Sequence, residues 1–298
     1  MRLSHLSRTR EDIIMDTVIT IVLALIFFLT AYPFFLAIVL SFNEGLDAAR
    51  GGIYFWPRSF TLENYVAFFR DERWIRGFFV SVTRTFIGTI VTTLFTALVA
   101  YGLSFEKLMF RKFYLGLLVL CMYFHGGLIP YYITLRMLGL LNSFWVYIIP
   151  QALSLFFVIV AISFFREIPQ ELYESAKLDG AGELTVLLKV YLPLSLPLLA
   201  TIAIFSGVAH WNAWFDSAFF VMDNNLRPMA FLLMEVINRS NVNTALSAMA
   251  AAAPGGMRIT PMSTQVTAMV ISVVPIMFIY PFLQKYFVTG LTLGSVKG

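Results

Sequence analysis

Charged residues leave wide gaps along the chain. Six intervals, 17–43, 85–105, 113–135, 137–165, 190–215 and 259–284, contain no Asp, Glu, Lys or Arg and hold 21 to 29 residues each. About 20 apolar residues cross the hydrocarbon core of a bilayer as a helix, and an ionised group at that depth is costly. The pattern predicts an all-α polytopic membrane protein with six transmembrane helices, near 17–43, 80–105, 113–135, 142–165, 194–220 and 262–286, in a single domain over 1–298. A seventh charge-free run, 240–257, has 18 residues but is dominated by Asn, Ser, Thr, Ala, Pro and Gly. It reads as part of a long loop, roughly 223–263.

Two of the intervals carry interruptions. His125-Gly126-Gly127 with Pro130 falls in the third, and Pro275 and Pro281 fall in the sixth. Backbone groups freed there need partners from protein or cavity water, since lipid has none to offer. A kink that only aids packing and an irregular stretch beside a solute pathway both fit.

Composition agrees with the pattern and narrows the class. Of 298 residues 59% are hydrophobic and 13% charged, with mean hydropathy +0.80, whereas a soluble domain carries about 25% charged residues. A soluble globular enzyme is therefore excluded as a working hypothesis. The formal charge of +4 is spread out, with no basic run that would suit nucleic acid. Cys121 is the only cysteine, so no intrachain disulfide framework or Cys-based zinc site exists. His5, His125 and His210 stand apart, HExxH and GxSxG are missing, and no metal site is expected. The phosphate-cradling GxxxxGK[ST] is also missing, so this chain does not hold ATP by that route.

Six spans put both termini on one side. Arg2, Arg8 and Arg10 precede the first span, Lys107, Arg111 and Lys112 join the second to the third, and Arg166, Lys177 and Lys189 join the fourth to the fifth. Short loops rich in Lys and Arg mark the cytoplasm. The bias is small when every loop is counted, because 11 basic residues then lie inside and nine outside. The first apolar run is too long for a signal-peptide core of about 7–15 residues and reads as a retained anchor.

The link between the fourth and fifth spans, about 166–193, holds five of the 17 acidic residues: Glu167, Glu171, Glu174, Asp179 and Glu183. Pro169 suits the first turn of a helix, Glu171 and Glu174 favour its positive end, and Gly180 suits a left-handed cap. After Ala181 and Gly182 a second helix is predicted from Glu183 to Tyr191, stopped by Pro193. A cytoplasmic helix-turn-helix results, with Leu172, Tyr173 and Ala176 available as an apolar contact surface.

Glu174-Ser175-Ala176, Gly180 and Val190-Tyr191-Leu192-Pro193 keep the spacing EAA, three residues, G, nine residues, I, one residue, LP. This resembles the cytoplasmic EAA loop of ABC importer permeases, with Ser175 in place of the second Ala and Val190 in place of Ile. Leu138-Gly139-Leu140-Leu141-Asn142-Ser143, His210-Trp211-Asn212-Ala213-Trp214, Leu226-Arg227-Pro228 and the tail from Gly290 to Gly298 extend the likeness. They resemble the smaller permease of carbohydrate-uptake importers of the maltose type, and Gly126-Gly127-Leu128-Ile129-Pro130 resembles a branch for complex oligosaccharides.

The resemblance implies a permease subunit, not an enzyme, that translocates oligosaccharides across a bacterial plasma membrane, multi-pass with both termini cytoplasmic. It implies as partners a second homologous permease, two ATPase subunits that bind ATP and magnesium, and an extracytoplasmic solute-binding protein; lipid surrounds the assembly and no cofactor is held by this chain. It implies ATPase coupling through Glu174, Ser175, Ala176, Asp179, Gly180, Ala181 and Pro193. It further implies a binding-protein loop at Ala251, Pro254, Gly255 and Gly256, and an ATPase-contacting tail with Gly294 and Lys297. An ion-coupled secondary transporter, for which buried ionisable residues and repeats are the signature, is the rival from another class, and an ABC permease for a non-sugar solute is the rival within it. A membrane-embedded enzyme is disfavoured, because no cluster of His, Asp or Glu lies at membrane depth.

Sugars call for flat aromatic faces with amides, hydroxyls or acids beside them. Trp211, Asn212, Trp214 and Asp216 in the outer half of the fifth span, with Tyr131, Tyr132 and Gln151, are the candidates, and the interfacial aromatic belt is the competing reading for the tryptophans. Arg84, one position outside a charge-free interval, is expected to snorkel to the headgroups, with a polar lining residue as the alternative.

Overall fold

The computed structural model describes residues 9–124, 126–242 and 259–295. They fall into two compact units, one drawn from Met1–Arg70 and Val236–Ile271, the other from Asp71–Glu235 and Ser272–Gly298. Among the described residues no β-strand forms, and an isolated antiparallel bridge joins Asn43 to Phe60.

In the first unit α1, Arg10–Ser41, begins with a reciprocal cap: Asp12 N donates to Thr9 Oγ1 at 3.2 Å and Thr9 N to Asp12 Oδ2 at 2.9 Å. Its large apolar side chains point outward almost throughout, as a helix solvated by lipid requires. Two short helices follow, α2 (Gly45–Ala49) and α3 (Glu63–Arg70). The fully buried Asn43 and Asn64 tie this stretch together: Asn64 Nδ2 donates to the carbonyls of Ser41 and Asn43 at 3.0 and 2.8 Å.

The second unit is built on α4, Glu72–Ser104, whose most extensive packing is with α7 (Leu155–Arg166) and α11 (Leu196–Asn212). Ser81, Thr85, Gly88, Thr92 and Thr96 recur every three or four residues along α4, a stripe of small side chains that lets helices approach closely. The approach is tight: a Cβ on Gly88 would lie 2.5 Å from His210 Nε2 on α11. At the other end of α4, Ala97, Ala100 and Tyr101 join Val158, Ala161 and Phe165 of α7 and Ile202 of α11 in the larger buried core.

The stretch expected as a loop holds a helix, α13 (Met229–Val242), before the long α14 (Pro261–Ser295). Among the described residues three helices are long and apolar enough to cross a membrane unaided, Arg10–Ser41, Glu72–Ser104 and the segment Pro261–Ile279 of α14; up to six crossings result when three bent helix pairs are each taken as one. α5 (Arg111–Tyr123) and α6 (Leu128–Met137) are separated at Gly126-Gly127, where Gly127 has φ +80°. Two 3-10 turns, Phe144–Tyr147 and Ile149–Gln151, bend by 44° into α7. The segment Glu183–Leu194 turns by 84° into α11. The second of these breaks was not foreseen; the third falls within two residues of the boundary expected at Pro193. In contrast, α14 (Pro261–Ser295) continues through Pro275 and Pro281, where an interruption was expected; each proline removes one hydrogen bond, and the rest of the ladder holds. Its helix reaches Ser295, so the segment from Gly290 continues a long element.

Candidate functional site

The link between α7 and α11 folds as two helices. Pro169 caps α8, Gln170–Leu178, from just outside it, and Asp179 and Gly180 end it with Gly180 at φ +81°. Ala181 N donates to the Ala176 carbonyl and Gly180 N to the Lys177 carbonyl, both at 3.0 Å, the closure of a left-handed glycine cap. A Cβ on Gly180 would meet nothing within 4 Å, so the demand for glycine is conformational.

α9, Glu183–Val186, was expected to run on to Tyr191 and stop at Pro193. Instead Leu187–Tyr191 widens into a π-helical turn and Leu192–Leu194, α10, carries the chain through Pro193 to a bend at Ser195. Pro193 has no N–H to give the carbonyl four residues back and its ring would crowd that carbonyl; widening the turn relieves both.

The faces of α8 also differ from the expected apolar surface. Tyr173 and Ala176, with Ala181, pack inward against the core, whereas Leu172 is 42% and Leu178 89% exposed, as is Leu184 of α9 at 64%. Glu174, Ser175, Asp179 and Gly180 are exposed beside them, and Gln170 Nε2 donates to Glu174 Oε1 at 2.7 Å. The outer face of α8 thus combines a carboxylate with bare leucines, a composition that calls for a partner.

Glu183 gathers the segment together. Its Oε1 accepts from Lys177 Nζ at 2.7 Å and from Tyr173 Oη at 3.0 Å, and its Oε2 accepts from Tyr101 Oη of α4 at 2.8 Å. The Lys177 hydrogen bond, helped by both tyrosines, holds the Glu183 carboxyl below the usual carboxylate range, and the carboxylate in turn raises Lys177. Burial, reinforced by Glu183, pushes the Tyr173 phenol up. Beside this cluster lies a cleft of 1070 Å³ whose walls include Tyr101, Phe105, Lys107, Arg166, Tyr173 and Glu183.

A second polar cluster sits nearer the Glu72 end of α4. Arg84, expected at the lipid headgroups, is instead fully buried. Its guanidinium pairs with Asp216, donates to the Ala213 carbonyl at 2.9 Å, and lies 4.4 Å from the ring centre of Tyr147. Asp216 also accepts from Gln151 Nε2 at 2.9 Å. This arrangement explains why α11 ends at Asn212 and α12, Phe215–Phe220, starts afresh: the carbonyl released at Ala213 is taken by Arg84. Likewise Thr92 Oγ1 donates to the Gln151 carbonyl at 2.8 Å and Ser154 N to Thr96 Oγ1 at 3.2 Å, so hydroxyls of α4 satisfy the backbone freed where the 3-10 turns bend into α7.

Of the sugar-path candidates, five collect here, Asp216 among them. Tyr131 and Tyr132 lie against Phe220, at ring separations of 5.3 and 6.3 Å, Gln151 bonds Asp216, and Trp214, 36% exposed, stands at the break. Trp211 and Asn212 are occupied otherwise. Trp211 is buried, donates its Nε1–H to the Ser272 carbonyl at 3.1 Å and meets Phe78 edge-on at 6.1 Å. Asn212 Nδ2 turns back onto the Val208 carbonyl at 3.0 Å. Asn142, noticed only as part of a motif, clamps the chain after α12: its Oδ1 accepts from Met222 N and Asp223 N at 2.9 and 2.8 Å. Gly294 belongs to the backbone of α14, while Ala251, Pro254, Gly255, Gly256 and Lys297 lie outside the described residues.

Missed by sequence reasoning were the Arg84–Asp216 pair and the hub role of Glu183. The stripe from Ser81 to Thr96 was the available signal for α4 as the central helix.

No family model matches the chain. Protein LplC of Bacillus subtilis (strain 168) is 36% identical over 271 residues, covering 91% of this chain and 90% of that protein. The polygalacturonan/rhamnogalacturonan transport system permease protein YtcP of the same organism is 37% identical over 268 residues, covering 89% and 92%. A crystal structure of a bacterial ABC transporter involved in the import of the acidic polysaccharide alginate contains a chain that superimposes with a TM-score of 0.85 at 25% identity, covering 95% of this chain and all of that one.

Proposed function

Because this chain belongs to the family of ABC carbohydrate-importer permeases, we propose that it is the transmembrane subunit through which oligosaccharides from a solute-binding protein pass into the cell. A second homologous permease completes the passage, and two cytoplasmic ATPase subunits, which hold the ATP and magnesium, drive it. Both termini face the cytoplasm. The relatives named for polygalacturonan, rhamnogalacturonan and alginate make uronate-containing oligosaccharides the first cargo to try.

The observation that carries the reading is the exposed outer face of α8, Glu174 with Leu178, mounted on a helix whose inner face is packed into the core. Closure of the ATPase pair displaces α8, and α4, α7 and α11 rock between inward-open and outward-open arrangements. Trp214, Tyr131, Tyr132 and Gln151 border the sugar's route near its outer mouth; Trp211 and Asn212 support that end of α11. The loop with Ala251, Pro254, Gly255 and Gly256 meets the binding protein, and the tail with Gly294 and Lys297 reaches the ATPases.

Reconstituted uptake tests the reading. The complex with its binding protein imports an oligosaccharide only when ATP is supplied, and Glu174→Lys lowers uptake while membrane insertion is unchanged. ATP-independent uptake, or uptake driven by an ion gradient, would contradict it.

A further inference from the structure

We propose that Glu183 is a positioning residue that couples movement of α8 to α4 of the membrane-spanning helices. The inference rests on the importer reading above. Three donors converge on its carboxylate from two directions, Lys177 and Tyr173 from α8 at 2.7 and 3.0 Å and Tyr101 from α4 at 2.8 Å. A carboxylate has about four lone-pair sites and can serve all three together; a neutral amide oxygen has two.

The 1070 Å³ cleft gives this geometry its significance. Force passes through a protein where atoms touch, and a gap forfeits those contacts. α8 borders the cleft, so on that side a push on its outer face closes the gap unless something spans it, while Tyr173 and Ala176 carry load directly where they pack on the core. Glu183 spans it, with the Phe105 and Tyr173 rings 5.1 Å apart alongside.

Beyond Glu183 the route is close-packed. The Tyr101 ring meets Tyr191 edge-on at 4.8 Å, Tyr191 meets Phe165 at 5.6 Å, and Val158, Ala161 and Ile202 behind them are fully buried. A load arriving at Tyr101 therefore reaches α4, α7 and α11 together. α8 is also held where Tyr173 and Ala176 pack against the core and by the glycine-bearing turn 179–182; Glu183 is its hydrogen-bonded tie to α4.

The test uses the full complex with loaded binding protein in proteoliposomes, measuring uptake and ATP hydrolysis in the same sample. Glu183→Ala lowers sugar imported per ATP by about tenfold, Glu183→Gln, whose amide oxygen accepts from one tyrosine while its NH2 donates to the phenol oxygen of the other, stays within about threefold of the unaltered protein, and Tyr101→Phe falls between. Structural damage alone lowers uptake and hydrolysis in proportion to the complex recovered. A proportional loss, or an unchanged ratio, in Glu183→Ala overturns the proposal. Should that variant not assemble, Tyr101→Phe, which removes one hydroxyl and no bulk, decides by the same ratio. No ATP-driven uptake by the unaltered complex is a separate outcome, and it overturns the importer reading itself.

Discussion

Glu183 and Asp216 are both carboxylates that join α4 to a distant part of the chain, and their surroundings are opposite. The Glu183 side chain is 57% exposed and its lysine partner 34%, so water and salt screen their attraction. Asp216 is 16% exposed and Arg84 not at all, so the charges there are held in place by each other, by Gln151 and by the Ala213 carbonyl. The exposed cluster fastens the segment proposed to move with the ATPases. The buried one fixes a helix break that has to stay. Removing one partner of a buried pair strands a charge, whereas removing one partner of an exposed pair returns the other to water.

The contrast is sharpest in Arg84→Leu, which leaves Asp216 buried without its counter-charge and destabilises the protein by about 3–5 kcal/mol. Thermal unfolding in detergent reads the loss, and Arg84→Leu with Asp216→Leu recovers most of it. If the single variant unfolds with the unaltered protein, the pair has no such role. Packing beside it comes next: Gly88→Ala drives a methyl toward the buried His210 ring and costs about 1–3 kcal/mol by the same assay. At the other end Gly180→Val places a β-branched residue at φ +81° and costs about 1–2 kcal/mol, with Gly180→Asn milder because Asn tolerates that region. Equal effects of the two substitutions would show that the cap conformation is not the constraint.

The smallest effect concerns acidity. The Glu183 carboxyl titrates below its unfolded value, so its contribution to holding α8 is complete above the ordinary carboxylate range and fades as pH falls through the depressed value. Lys177, Tyr101 and Tyr173 face it and keep their protons throughout that range, so the change belongs to Glu183. Protease cleavage within 170–182, followed from pH 7 downward, stays flat until that low range and then rises; in Glu183→Gln the rise is absent. A rise already complete near neutral pH would contradict the assignment.

Much of this arrangement was legible in the chain. Missing charges marked the apolar helices, and Pro169 and Gly180 marked the ends of α8, because local rules govern helix ends and lipid penalises charge. What escaped depended on residues far apart. Arg84 read as a snorkelling residue since its partner is Asp216, 132 positions on, and its other acceptor is a backbone carbonyl freed by a helix break. The break before Ser154 escaped for the same reason: its freed backbone is satisfied by Thr92 and Thr96, which only tertiary packing reveals, whereas Pro193 marked the bend at Ser195 to within two residues. Tyr173 and Ala176 pointed inward rather than outward because the core beneath α8 was invisible from its own sequence.

The central claim is that the outer face of α8 is where the ATPase engages this subunit, and cysteine cross-linking in native membranes tests it most directly. With the exposed Cys121 replaced by Ser, a short cross-linker at Glu174→Cys captures an ATPase subunit, and the same reagent at Asn225→Cys, beyond the opposite end of α11, does not. Capture at Asn225 with none at Glu174 would contradict the account.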